Sequence, residues 1–109
     1  PTTSPMRYVS TRGEAAPRGF EDVLLAGLAE DGGLFLPETF PQFSPAEWRA
    51  LRGLPYAELA ARVIYPFTGG AIAFEALHAM CRDAYGSFRH PAVMPLVQLD
   101  DRSFALELF

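Results

Sequence analysis

YVSTRGEAAPRGFEDVLLAGLAEDGGLFLP, residues 8–37, changes its period twice. Tyr8-Val9-Ser10-Thr11 is rich in aromatic and β-branched residues, which suit a pleated surface. Gly13, Pro17 and Gly19 then break the chain. From Phe20 onward, Phe20, Val23, Leu24, Gly27 and Leu28 recur on one face of a 3.6-residue repeat, which predicts a helix. Glu21 and Asp22 fall in its first turn, where negative charge meets the positive end of the helix dipole. Asp31-Gly32-Gly33 is expected to supply a left-handed helix stop, since glycine has no Cβ to clash. Leu34-Phe35-Leu36 reads as a short buried strand ended by Pro37.

Outward from this stretch, helical patterns dominate. Ser44-Pro45-Ala46-Glu47 is a capping-box signature with proline at the first helical position. Trp48 and Leu51 form the apolar side of the short helix it opens, and Gly53 stops it. Tyr56, Leu59, Ala60, Val63, Ile64 and Phe67 make an apolar stripe on the next helix, with Glu58 and Arg62 on its polar flank at i, i+4. Pro66 limits that helix. A third long helix is expected over about Ala73–Tyr85, with Phe74, Leu77, Cys81, Ala84, Tyr85 and Phe88 along one face. Val93–Leu99 and Ser103–Phe109 read as two strands joined by a turn at Asp100-Asp101-Arg102. The fold class that follows is α+β: three to four helices packed on a small, mainly antiparallel sheet. Its strands are drawn from Tyr8–Thr11, Leu34–Leu36 and the terminal hairpin.

Composition bounds the function. The chain has 109 residues, half of them apolar, and a formal charge of −4. That charge opposes a nucleic-acid or anionic-membrane surface, which needs clustered basic residues. No apolar run reaches the roughly eighteen residues of a membrane span. Cys81 is the single cysteine, so no internal disulfide can form, which fits a reducing compartment and a cytoplasmic location. All nine basic residues are arginine. Without a lysine amine the chain cannot form an internal Schiff base with an aldehyde cofactor.

No catalytic constellation is complete, and no metal-ligand spacing is present. His78 and His90 do not lie at ligand spacing from Cys81, and Thr68-Gly69-Gly70 reads as a stop after a helix. One cluster carries chemical interest: Ser10-Thr11-Arg12-Gly13. Two hydroxyls, a guanidinium and a flexible amide in a row can grip a phosphate or carboxylate. The same residues also read as a plain turn after a strand, with Arg12 paired to an acid such as Glu14 or Glu21.

The ordered set YVSTRGEAAPRGFEDVLLAGLAEDGGLFLPE, PYAELAARVIYPFTGG, FRHPAVMPLVQL and LELF resembles the amino-terminal portion of the bacterial threonine synthase family, over about Met6–Phe109. The resemblance implies the amino-terminal domain of a fold-type-II, tryptophan-synthase-β-like enzyme that depends on pyridoxal phosphate. That family converts O-phosphohomoserine and water to L-threonine and phosphate. The resemblance further implies a division into a lead-in at 1–5, an amino-terminal domain at 6–92 and, at 93–109, the first strands of the following cofactor-binding domain. The family's Schiff-base lysine lies beyond a segment like LELF. Catalytic, cofactor-binding and metal-binding residues are therefore not expected within this chain, and by itself it is expected to be inactive and to hold no cofactor. Ser10, Thr11 and Arg12 are the candidate substrate-binding residues. The alternative is a non-catalytic interaction or dimerisation module, self-associating through the open terminal strand.

Overall fold

The structure is a computed structural model, and it describes residues 5–108. The lead-in expected at 1–5 therefore lies, but for Pro5, outside the described residues, as does Phe109. In chain order the elements are β1 (Tyr8–Ser10), α1 (Phe20–Ala26), β2 (Phe35–Pro37), α2 (Pro45–Ala50), α3 (Tyr56–Ile64), a 3-10 turn (Tyr65–Thr68), α4 (Phe74–Tyr85), β3 (Leu96–Gln98) and β4 (Phe104–Leu106). The α+β class holds. The strands, expected in one sheet, divide between two antiparallel ladders, β1–β2 and β3–β4.

β1 and β2 pair with Tyr8 opposite Pro37, Val9 opposite Leu36 and Ser10 opposite Phe35. On its other side β1 exchanges two backbone hydrogen bonds between Tyr8 and Arg18, at 2.8 and 3.0 Å. Tyr8 is thus held from both flanks. Its ring lies 6.2 Å from that of Phe20, and its hydroxyl donates to the Phe67 carbonyl, which ties the ladder to the helical part.

α1 is shorter than its apolar period implies. It ends at Gly27, whose φ of 75° is left-handed, with the Gly27 N–H on the Val23 carbonyl. Glycine reaches this conformation without a Cβ penalty, so the earlier glycine wins over the later pair as the stop. Asp31-Gly32-Gly33 is released for another role. No α1 residue is fully buried, and Leu24 and Leu25 are 63% and 87% exposed.

α2 begins with the expected reciprocal cap: the Ser44 hydroxyl accepts from Glu47 N at 3.1 Å, and Glu47 accepts from Ser44 N at 2.9 Å. Trp48, expected inward, stays more than half exposed and stacks beside Phe43 at 4.8 Å. In α3 the regular helix stops at Ile64 and tightens into the 3-10 turn that contains Pro66. Proline has no N–H for the bond four residues back and its ring crowds that carbonyl, so the last turn changes its winding. The flank pair Arg62–Glu58 forms at 3.7 Å.

The core sits between α3 and α4. Ala61 is fully buried, against Leu77 and Cys81. The small side chain at position 61 lets the helices approach. Edge-to-face pairs Tyr56–Tyr85 and Tyr65–Phe74, at 4.9 and 5.6 Å, close the two ends of the contact.

The β3–β4 hairpin is shorter than its two apolar runs. Leu96 faces Leu106, Val97 faces Ala105 and Gln98 faces Phe104. Asp100 turns the chain as foreseen, its Oδ1 accepting from the amides of Arg102 at 2.8 Å and Ser103 at 2.7 Å. The apolar alternation points outward: Phe104, Leu106 and Leu108 are exposed, whereas Ala105 and Glu107 are half-buried.

Candidate functional site

The β1–β2 ladder brings two turns together. One leaves β1 through Thr11-Arg12-Gly13-Glu14. The other enters β2 through Asp31-Gly32-Gly33-Leu34. The Thr11 N–H donates to the Leu34 carbonyl at 2.8 Å, and the Leu34 N–H donates to Thr11 Oγ1 at 3.0 Å. The Gly13 N–H closes the first turn on the Ser10 carbonyl at 3.1 Å.

Asp31 joins the two. Its carboxylate accepts from the Ser10 hydroxyl, 2.7 Å from Oδ1 and 2.8 Å from Oδ2. Oδ1 also accepts from Gly33 N and Oδ2 from Glu14 N, each at 2.9 Å. Its main-chain carbonyl accepts from Arg12 Nη1 at 2.8 Å. The Ser10 hydroxyl bond, then the Gly33 and Glu14 amides and the nearby Arg12 charge, hold the Asp31 carboxyl below its ordinary range. Donors to the charged form favour it.

The three residues singled out from the sequence therefore share one turn but occupy different positions. Ser10 is buried and spends its hydroxyl proton on Asp31, while Oγ accepts from Arg12 N at 3.1 Å. Thr11 is exposed, with its hydroxyl oxygen taken by Leu34 N. Arg12 is exposed and, among the described residues, held along one edge, by the Asp31 carbonyl. The expected ion pair of Arg12 with Glu14 or Glu21 is not what forms. Glu14 contributes its main-chain N–H to Asp31 instead, and among the described residues no ion pair includes Arg12.

The two glycines of the second turn are required by this closeness. At Gly32, where φ is 83°, a Cβ would sit 2.7 Å from Arg12 Nη1. At Gly33 it would collide with Ser10 Oγ and lie 2.9 Å from Thr11 Oγ1. Asp31 is the residue that reading the sequence missed. Its sequence signal is an aspartate two residues before a glycine, a spacing that suits an Asx-turn to that glycine's N–H, and the stop of α1 lies earlier, at Gly27.

The chain belongs to the threonine synthase family. The family model for the threonine synthase N terminus matches residues 7–85. The threonine synthase of Pseudomonas aeruginosa is 53% identical over 104 residues, covering 95% of this chain and 22% of that protein. A crystal structure of pyridoxal-phosphate-bound threonine synthase from Brucella melitensis superposes with a TM-score of 0.86 at 60% identity, covering 95% of this chain and 22% of that one. The Escherichia coli threonine synthase structure gives 0.80 at 25% identity, covering 95% of this chain and 23% of that one. The chain thus spans about a fifth of the length of these relatives and corresponds to their amino-terminal region.

As a threonine synthase amino-terminal region, the chain lacks one group that covalent cofactor attachment needs. It has no lysine to bind pyridoxal phosphate covalently. The glycine pair Gly69-Gly70, read from the sequence as a stop, follows Thr68, which is buried and donates its hydroxyl to the Tyr65 carbonyl at 2.7 Å. A Cβ at Gly69 would lie 2.7 Å from Met6 N, so this glycine serves the close approach of two chain segments. Cys81 is a buried thiol, its pKa pushed up by burial. His90 Nδ1 accepts from Ala92 N at 3.0 Å within its own turn. Among the described residues, no group of three or more His, Cys, Asp or Glu side chains could hold a metal ion, and no helix is long and apolar enough to cross a membrane.

Proposed function

We propose that this chain works as the amino-terminal region of a threonine synthase that converts O-phosphohomoserine and water to L-threonine and phosphate, and that its Ser10–Arg12 turn faces the substrate. The observation that carries this is the state of Arg12. Its guanidinium is exposed, fixed along one edge and unneutralised by any carboxylate in an ion pair among the described residues. A guanidinium so placed offers its remaining N–H groups to a phosphate dianion. Ser10 and Thr11 give the turn its shape through Asp31 and Leu34.

Pyridoxal phosphate supplies the electron sink in such an enzyme. It would be held by the part of the enzyme beyond the region matched here, because this chain offers no lysine. The chain alone is inactive in this reading and holds no cofactor. Mixing it with pyridoxal phosphate should give no lysine-type imine absorption band, and such a band would end the reading. Residues 93–109 are assigned to the start of the following domain, since β3, β4 and the residues flanking them expose Leu96, Leu99, Phe104, Leu106 and Leu108. The work of the whole enzyme on free metabolites, together with the reduced Cys81, supports a cytoplasmic location.

The decisive experiment is Arg12→Ala in the full-length enzyme. Hydrogen bonds to charged groups contribute about 1.5–3 kcal/mol each, so KM for O-phosphohomoserine should rise about 10- to 100-fold while cofactor absorbance stays the same. An unchanged KM would remove Arg12 from the substrate site.

A second reading, self-association of the isolated chain through the terminal hairpin, rests on its surface. The accessible area is 7741 Å², against about 6,000 Å² for a compact monomer of this size. The radius of gyration is 16.3 Å, against about 13 Å. The excess on this one chain is about twice the roughly 800 Å² that each partner buries in a standard specific interface. Sedimentation of the isolated chain decides: a monomer across micromolar concentrations rejects self-association.

A further inference from the structure

We propose that Asp31 is the positioning residue for Arg12, holding the guanidinium toward substrate phosphate without neutralising it. The inference rests on the reading above that Arg12 meets the substrate. Among the described residues, Asp31 is the group that grips both ends of the arginine's environment. Its carbonyl takes Nη1 of the side chain, and its carboxylate takes Ser10 Oγ before Arg12 and Glu14 N after it. The guanidinium then lies against Gly32, where an added Cβ would stand 2.7 Å from Nη1 and 3.3 Å from Cζ.

The division of labour within Asp31 is the physical point. A bidentate ion pair with the carboxylate would cancel the arginine's charge and occupy its donor fork. Here one hydroxyl and two backbone amides already occupy the carboxylate oxygens. Arg12 donates to the neutral carbonyl instead, which leaves the rest of its donor fork open although the carboxylate charge lies nearby. Ser10 is part of the same device, because its oxygen also accepts the Arg12 main-chain N–H at 3.1 Å.

The test is a kinetic double-mutant cycle in the full-length enzyme, with Asp31→Asn, Arg12→Ala and both together. The carboxamide keeps the size of the side chain but turns one acceptor into a donor facing a donor. Asp31→Asn should raise KM for O-phosphohomoserine about tenfold and lower kcat by less than threefold. In the Arg12→Ala background the same substitution should change KM by less than twofold, because Asp31 acts through Arg12. Multiplicative effects on KM would overturn the proposal, since a merely structural loss affects both backgrounds alike. A raised KM in Arg12→Ala with an unchanged KM in Asp31→Asn removes the role of Asp31 alone. An unchanged KM in Arg12→Ala removes the substrate reading itself. If Asp31→Asn is not recovered folded, Ser10→Ala replaces it in the same cycle with an expected threefold rise, and no rise overturns the proposal.

Discussion

Gly33→Ala measures how tightly the two turns are locked. Gly33 is buried, its N–H is on Asp31 Oδ1 and its carbonyl accepts from Ala29 N at 2.9 Å, so its backbone cannot swing away. A Cβ there collides with Ser10 Oγ and comes within 2.9 Å of Thr11 Oγ1 and 3.0 Å of Asp31 Oδ1. These are short side chains, themselves fixed by hydrogen bonds, so none can retreat cheaply. Overpacking of this kind costs about 1–3 kcal/mol. Losing the Leu34 N–H to Thr11 bond adds about 1 kcal/mol. The expected loss is therefore about 2–4 kcal/mol, a shift of roughly 1–2 M in urea midpoint at the slopes usual for small domains. Gly32→Ala is the comparison. Its new Cβ meets the far end of a flexible arginine, so the crowding there is relieved by moving Arg12. What remains is the left-handed φ of 83°, at about 1 kcal/mol. Urea titration followed by far-UV circular dichroism separates the two. A Gly33→Ala midpoint equal to the parent's, or one less affected than Gly32→Ala, would refute the account of the clasp.

Three further outcomes are expected. Asp31 and Asp100 are both held below the ordinary aspartate value of 3.8 by hydrogen-bond donors, so their contribution to stability is complete above about pH 5. As pH falls through the folded-state values the unfolded chain binds protons first and that contribution is lost. Asp31→Asn should therefore flatten the fall in urea midpoint on acidification, and parallel curves for parent and variant would count against it. Ser44→Ala removes the reciprocal cap of α2 and should lower stability by about 1 kcal/mol, read from the thermal midpoint; Ser44→Asp should largely restore it. Cys81 is buried between α3 and α4 with its thiol pKa raised by burial. Its labelling by a disulfide reagent at pH 8 should track unfolding of the helix pair, and prompt labelling of the native chain would contradict the burial.

Some features were readable directly from the residues. The Ser44–Glu47 box, the Arg62–Glu58 flank pair, the α4 span and the Asp100 turn depend on neighbours a few positions away, and all four form as their spacing implies. The amino-terminal motif set carries the family assignment for the same reason: an ordered string of residues survives in sequence whether or not its contacts are known. The exit from α1 was legible in kind and misplaced in position, because Gly27 and Gly32-Gly33 are both adequate stops and only the surrounding packing selects between them.

In residues 8–37, local chemistry determined strand, helix, turn and strand, and it marked Ser10, Thr11 and Arg12 as polar groups in a row. Only the tertiary structure decided what each of those groups does. Once β1 lies antiparallel to β2, Ser10 falls opposite Phe35, and the turn beyond it meets Asp31, about twenty residues away in sequence. The two hydroxyls are then taken up by Asp31 and Leu34 of that turn, Ser10 buried and Thr11 at the surface, and Arg12 is left outward with its charge. Hydrogen-bond partners across such a separation are set by strand register, and register is a property of the folded pair rather than of either segment. The same reason explains why two ladders form in place of one sheet, and why the apolar face of β4 points outward: alternation fixes which side chains share a face, and the rest of the structure decides where that face points.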